Sequence, residues 1–451
     1  MQGEQRPRRF ENAVFGGLRT CHGGIHGRTG AALVNGSLLH SGKGAGCKHM
    51  LTEGEAMNAH ADMLSTDVLI VGAGPSGLAL RLALDRLGIA SLLVDRHAAG
   101  LNTSRAAVIH ARTLEVLEPL GVVPRLLAAG VQATRFRVRD GDRILLQIGF
   151  DDLPSAHRYA LMCPQNATEA ILGDVLAPDS ATVWRPARLL SFAQTADGVS
   201  ADLELPEQRQ RRVHAQWIVG CDGAHSAVRE GAGIAFHGGD YAETFVLADV
   251  RMAWPLPREE VSLFFSPQGL MVVAPLPEPD GTAGDRHRIV ATVADAIGPP
   301  TLAQMQAVLD ARGPQSARAR IDALLWSSDF HLQHRVAAQL RRGRVLLCGD
   351  AAHVHSPAGG QGMNTGIQDA IALAPALQRA LCQHDEHGLD AWATGRRRIA
   401  RGVVRMTDAM TRAATATAPV ARSVRNGLLG LIDHAPPIQR RLAARLAELG
   451  N

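Results

Sequence analysis

A chain of 451 residues, 46% hydrophobic and 20% charged, is long enough for two or three domains around well-buried cores. Its formal charge of +4 is carried without Lys/Arg blocks interleaved with aromatics, so a nucleic-acid partner is not indicated. No apolar run approaches the roughly 20 residues that span a bilayer, and the six cysteines (Cys21, Cys47, Cys163, Cys221, Cys348, Cys382) are widely spaced, with no Cys-x-x-Cys pair and no secretory apolar segment in front of them, which leads one to expect a reducing, cytoplasmic setting.

Residues 1–62 carry scattered glycines and histidines without a sustained hydrophobic period, the texture of a poorly ordered extension, and Met57 or Met63 would make a natural start. Cys21, His22, His26, Cys47 and His49 match no zinc-ligand spacing, so no metal is expected. At Asp67 the pattern changes. Residues 68–71 form an apolar strand, Gly72-Ala73-Gly74-Pro75-Ser76-Gly77 is a GxGxxG turn, residues 78–87 have helical periodicity closed by Gly88, and residues 91–94 form a second strand running into Asp95-Arg96. This is the pattern of a βαβ dinucleotide-binding unit. Gly72 permits the tight turn, Gly74 lets a pyrophosphate approach the backbone, Gly77 allows close helix–strand packing, and Asp95 is placed to accept from a ribose hydroxyl.

Residues 104–117 read as a helix with Arg105 at or before its first turn and Arg112 further along; an arginine there reaches pyrophosphate oxygens or is a solvated surface charge, and Arg105 is the better placed. Residues 134–150 alternate apolar and polar around Asp140-Gly141-Asp142, as in a β-hairpin. Another helix opens near Gln165. Residues 183–220 return to strands and end in Asp222-Gly223, followed by Ser226 and Arg229, which is either a tight turn with an N-cap or a second ligand contact. Residues 236–301 suit an antiparallel sheet able to wall a substrate pocket, residues 302–325 read as helical, and residues 326–335 lead back to the glycine-rich stretch.

That stretch spans residues 344–369: a buried-type strand at 345–348, Gly349-Asp350, a loop with Pro357, Gly359, Gly360 and Gly362, and a helix from about Met363. Asp350 stands at the strand's carboxyl end. The glycines let backbone N–H groups approach a ligand, and the helix N-terminus adds partial positive charge, which suits an anionic or electron-accepting ring system. Beyond Asp369 the chain is mostly helical, with the arginines from Arg396 to Arg445 on solvated faces rather than in a membrane-surface patch.

Three separated motifs in this order resemble the FAD-dependent aromatic-ring hydroxylases, single-component monooxygenases of the p-hydroxybenzoate hydroxylase fold, over about residues 64–400. Gly72, Gly74 and Gly77 match the dinucleotide turn, with Asp95 where the family usually has glutamate. Asp222, Gly223, Ser226 and Arg229 match the second motif, and Gly349-Asp350-Ala-Ala-His353 through Pro357, Gly362, Met363 and Asn364 match the third. The resemblance implies an α/β fold: a discontinuous Rossmann-like FAD-binding domain (63–133, 157–235 and 336–395), an interleaved antiparallel-sheet substrate domain (134–156 and 236–335) and a C-terminal helical segment (396–451). It places Gly72, Gly74, Pro75, Ser76, Gly77, Asp95, Arg96, Arg105, Gln165, Asp222, Gly349, Asp350, Pro357, Gly362, Met363 and Asn364 at FAD, with Asp350 on the ribityl chain and residues 362–364 beside the ring. The chemistry is flavin-borne; Arg105 and Pro357 are the candidate catalytic positions.

The same resemblance implies NADH or NADPH as a transient reductant docking near Arg105 and the Asp222 motif, O₂, a small phenolic or other electron-rich aromatic substrate, oxygen transfer from a flavin C4a hydroperoxide, and a monomer or homodimer. There are departures. Instead of Asn-Leu-x-Trp-Lys-Leu the chain reads Asp369-Ala-Ile-Ala-Leu-Ala-Pro375-Ala-Leu, and Pro375 should kink that helix or start it anew. With only Tyr159 and Tyr241, a tyrosine relay to a phenol is not carried over, and the thioredoxin-like C-terminal domain of larger members is expected to be absent. Competing readings are a quinone-precursor hydroxylase with peripheral membrane contact, a related FAD epoxidase or reductase, and a non-catalytic FAD-binding redox module. Substrate-stimulated NAD(P)H oxidation with incorporation of labelled dioxygen separates them.

Overall fold

The computed structural model describes residues 64–100, 106–176, 183–281, 284–293, 298–416 and 418–450; the expected extension at 1–62 and Arg105 lie outside them. Its first sheet grows from the βαβ unit. The apolar run in Leu64–Val71 pairs in parallel with Ser91–Val94, Val68 opposite Ser91 and Val71 opposite Val94. The crossover helix Pro75–Arg86 buries every residue from Gly77 to Leu84, and such two-sided burial is why these strands read as continuous apolar runs rather than alternating ones. The sheet order is Arg341–Arg342, Val345–Leu347, Gln210–Gly220, Leu64–Val71, Ser91–Val94, with the Arg188–Gln194 and Val199–Glu204 hairpin attached to Gln210–Gly220.

A second, eight-stranded sheet is dominated by the antiparallel pair Phe236–Ala253 and Arg320–Ala337, with Phe236 opposite Ala337. The Arg135–Asp140 and Arg143–Gly149 hairpin, turning at Gly141 with φ +58°, joins its edge through a parallel pairing with Glu260–Ser266. Both faces are covered, and neighbouring residues divide between them as the two-residue strand period requires. Phe245 and Leu247 pack with Ala414, Ala443 and Leu446 of the C-terminal helices, whereas Val246 and Ala248 pack with Met305 and Leu309 of the Leu302–Arg312 helix.

Four sequence expectations need correction. Residues 104–117 are not one helix: Val108–Ile109 is a strand antiparallel to Ala160–Met162, and the helix starts at Ala111. Adjacent β-branched residues with a cross-strand partner favour the extended form. The helix expected over 302–325 stops at Arg312, where Gly313-Pro314 ends it, and the chain enters the long strand at Arg320. Pro375 neither breaks nor restarts its helix, which runs unbroken from Gly362 to Gln383. A helix-interior proline costs about 3 kcal/mol, and here the helix offsets this by burying Ile367, Ala370, Leu373, Ala374 and Leu377. Finally, the late arginines do not all lie on solvated faces. Arg396 reaches the fully buried Asp369, and Arg425 is buried over the Phe265 ring at 5.0 Å from its centroid.

Candidate cofactor site

The three motifs meet at the ends of neighbouring strands of the first sheet. Cys221 N–H donates to the Val71 carbonyl at 2.7 Å and Cys348 N–H to the Gly220 carbonyl at 2.9 Å. Gly72 has φ +103°, and a Cβ there would lie 2.3 Å from the Cys221 carbonyl oxygen. A Cβ at Gly77 would lie 1.9 Å from the Gly72 oxygen. Ser76 is wedged between the third motif and its helix: a Cβ on either Gly349 or Gly366 would come within 2.5 Å of the Ser76 hydroxyl oxygen. Gly74 is the exception. Beyond its chain neighbours, no atom of the described residues lies within 4 Å of a Cβ built there, so among them the turn is open where a ligand would approach.

Helix ends supply the electrostatics. Among the described residues, Pro75–Arg86 and Gly362–Gln383 both begin without a side-chain cap, and neither has an acidic residue in its first turn, an arrangement whose positive dipole ends suit an anionic ligand. Asp95 holds the first turn itself, accepting from Ala73 N–H at 2.7 Å and His97 N–H at 2.8 Å. Arg185 donates to the Ala73 carbonyl at 2.6 Å, while its buried Nε has no partner among the described residues. Close by, burial pushes the Glu169 carboxyl up, partly offset by the Gln165 amide, which donates to it at 2.9 Å, and by Arg185. Arg96 lies on the surface beside His97.

Asp222 is spent on its own helix. Its carboxylate accepts from the Ser226 hydroxyl and from Val228 N–H at 3.2 Å, and Ser226 caps Arg229 N–H. Burial raises the Asp222 carboxyl despite these donors. The buried Arg229 then clamps the third motif, donating to the Ala351 carbonyl at 3.2 Å and stacking over Phe236 at 4.0 Å. Asp350 stands exposed in the Gly349–Ala351 turn and Pro357 on the loop surface.

The glycine-rich loop is anchored from beneath. The Asn364 side chain accepts from His110 N–H at 2.8 Å and donates to the Val108 and Gly360 carbonyls at 2.9 and 2.7 Å, so its polar atoms face protein. Met363 is buried and Gly362 passes beside His355. His110 donates to the Gly359 carbonyl at 2.7 Å, and burial lowers its pKa to about 4, keeping the ring neutral.

A family model described as an FAD binding domain matches residues 65–407. The chain belongs to that family, the FAD-dependent aromatic-ring monooxygenases. It is similar to 6-methylpretetramide 4-monooxygenase from Streptomyces rimosus, 35% identical over 387 residues, which are 84% of this chain and 68% of that one. It is 31% identical to pentachlorophenol 4-monooxygenase from Sphingobium chlorophenolicum over 368 residues, 78% and 66% of the two chains. The chain thus spans about two thirds of the length of each. Among solved structures, an anhydrotetracycline hydroxylase from Streptomyces rimosus superposes with a TM-score of 0.72 at 32% identity, covering 86% of this chain and 77% of that one.

The cofactor of this monooxygenase family is FAD, and the groups present fit it: an open Gly74, two uncapped helix N-termini and the buried Arg185 Nε. Sequence reasoning missed a second set of residues in the monooxygenase. His353 and Arg396 both hold Asp369, whose burial would raise its pKa but which the Arg396 guanidinium, then His353, keeps below the usual carboxylate range. Glu448 docks from the C-terminal end onto Thr365 and Gln368, and Gln361 donates to the Leu446 carbonyl at 3.0 Å. Asp369 closed the glycine-rich stretch and so carried some signal; Glu448, eighty residues on, carried none.

Proposed function

We propose that this chain uses NADH or NADPH and O₂ to hydroxylate a phenolic or other electron-rich aromatic ring. The observation that carries the reading is the convergence of the three motifs around an open Gly74 and two uncapped helix N-termini. The relatives named for oxidation of pentachlorophenol and 6-methylpretetramide support it.

Bound FAD supplies acceptance of the reductant's hydride, activation of O₂ and delivery of one oxygen atom to the substrate. The protein's own groups bind, orient and exclude water. The Pro75–Arg86 N-terminus and the Gly74 backbone receive the pyrophosphate, the remaining lone pairs of Asp95 accept from a ribose hydroxyl, and Asp350 holds the ribityl chain. The N–H groups of residues 362–364 stabilise negative charge at the ring. The eight-stranded sheet, from about Phe236 to Pro277, walls off the substrate.

Purified protein should show a flavin spectrum, and a phenol panel should include a compound that stimulates NAD(P)H oxidation with incorporation of labelled dioxygen. Absence of flavin after reconstitution would sink the reading; bound flavin without aromatic stimulation would instead indicate a redox module. Asp350→Ala should lower flavin occupancy.

A second reading, a hydroxylase of membrane-borne quinone precursors, is favoured by one observation: Val420, Val424, Leu428 and Leu431 are exposed along the Pro419–Asp433 helix. No described helix is long and apolar enough to cross a membrane. Co-sedimentation with vesicles and activity on prenylated phenols would support it; neither occurring would remove it.

A further inference from the structure

A cavity of about 750 Å³ is lined in part by the His387–Thr415 helix, within the size range of small-molecule sites. None of its lining residues belongs to the expected FAD set. Val336 and Leu340 give it apolar lining, but its charged lining is cationic: Arg341, Arg397, Arg398, Arg401 and Arg405, with the exposed His237 and, among the described lining residues, a single carboxylate, Asp390.

The pairing of arginines on and beside this helix sorts by position. Outside the cavity, Arg396 is held by Asp369 and Arg412 by Asp408 at 3.1 Å. Within it, Asp390 is already taken, accepting from Arg341 at 2.9 Å, and Glu386 also pairs with Arg341. No described acid pairs with Arg397, Arg398, Arg401 or Arg405. Arg397, Arg401 and Arg405 are spaced four residues apart, so they share a helix face, and like charges at that spacing destabilise a bare helix. Desolvation, then Arg401, lowers the Arg397 pKa. Arg397 is pinned by its Nε donating to the Ala337 carbonyl at 3.0 Å, which leaves its terminal nitrogens for another acceptor.

We infer that this cavity is an anion site, separate from the flavin site, that takes a phosphate-bearing small molecule. Guanidinium forks match phosphate oxygens bidentately, several clustered forks suit a pyrophosphate or a phosphate monoester better than a single carboxylate, and a bound dianion relieves the repulsion along the helix. The phosphates can come from the reductant, whose pyrophosphate and 2′-phosphate have this chemistry, or from a free phosphorylated compound.

The test uses FAD-loaded enzyme, so that the flavin's own pyrophosphate site is filled. Calorimetric titration with inorganic pyrophosphate should show binding that weakens at least about tenfold in Arg398→Ala/Arg401→Ala. These side chains hold no ion pair among the described residues, so the fold should persist; the single Arg401→Gln, with a smaller loss expected, serves if the double variant does not fold. A rise in KM for NADPH with KM for NADH unchanged would assign the phosphate to the reductant's 2′ position. Unchanged reductant kinetics with weakened pyrophosphate binding would assign the site to a free phosphorylated compound. Equal pyrophosphate affinity in wild type and variants, or no binding to either, would overturn the inference.

Discussion

Glu448 shows how one buried side chain sets a pH response. Burial raises its pKa to about 8 from an ordinary 4.5, even though Thr365 and Gln368 donate to it. Between those values the folded state holds a proton that the unfolded state has released. Its contribution to stability is therefore full below about pH 4.5 and is lost as pH rises through about 8. Glu448→Gln keeps the neutral shape, so its melting temperature should fall less than that of wild type between about pH 6 and about pH 9; parallel curves would refute this. Asp369 is the opposite case, a carboxylate held charged by Arg396 and His353. Arg396→Leu should cost about 3–5 kcal/mol in denaturant unfolding, because breaking a buried pair strands the remaining charge. A loss within about 0.5 kcal/mol, as at ordinary surface sites, would show that the pair does not hold the helix.

At the scale of the element, the GxGxxG turn separates two kinds of glycine requirement. Gly77→Ala would put a Cβ 1.9 Å from the Gly72 oxygen and should abolish folding. Gly74 has φ −78°, a value open to any residue, and none of the described residues beyond its chain neighbours crowds a Cβ there. Gly74→Ala should therefore retain the melting temperature of the flavin-free protein while losing bound flavin, read from absorbance after desalting. Equal flavin retention would remove Gly74 from the cofactor site. The strand, the GxGxxG turn and its helix are legible in the sequence because they are contiguous in the chain. The helix expected over 302–325 ends at Arg312, with Gly313-Pro314 as its stop signal, and Val108–Ile109 is not legible as a strand locally because its partner strand lies some fifty residues away.

At the scale of the whole molecule, the C-terminal segment completes the cofactor loop. Ala443, Leu446 and Ala447 belong to the core beneath the eight-stranded sheet. The Leu446 carbonyl accepts from Gln361, and the Ala447 carbonyl accepts from Arg112 N–H at 3.2 Å. Truncation after His434 should lower the melting temperature and shrink the stabilisation given by added FAD, since the loop loses its support. An unchanged FAD-induced shift would show that the loop holds itself.

What the sequence by itself determined is contiguous chemistry: the FAD-binding fold class, the three motifs in order and the turn that must be glycine, because each depends on residues within about one supersecondary unit. Tertiary structure decided how distant pieces use the same charges. Asp222 is spent on capping its own helix, Asn364 on anchoring the loop, Arg396 on neutralising Asp369, and Glu448 on closing the C-terminal end over Thr365 and Gln368. A carboxylate or guanidinium looks the same in a sequence whether it meets a cofactor, a buried counter-ion or water, and only its neighbours in space settle which free energy it sets.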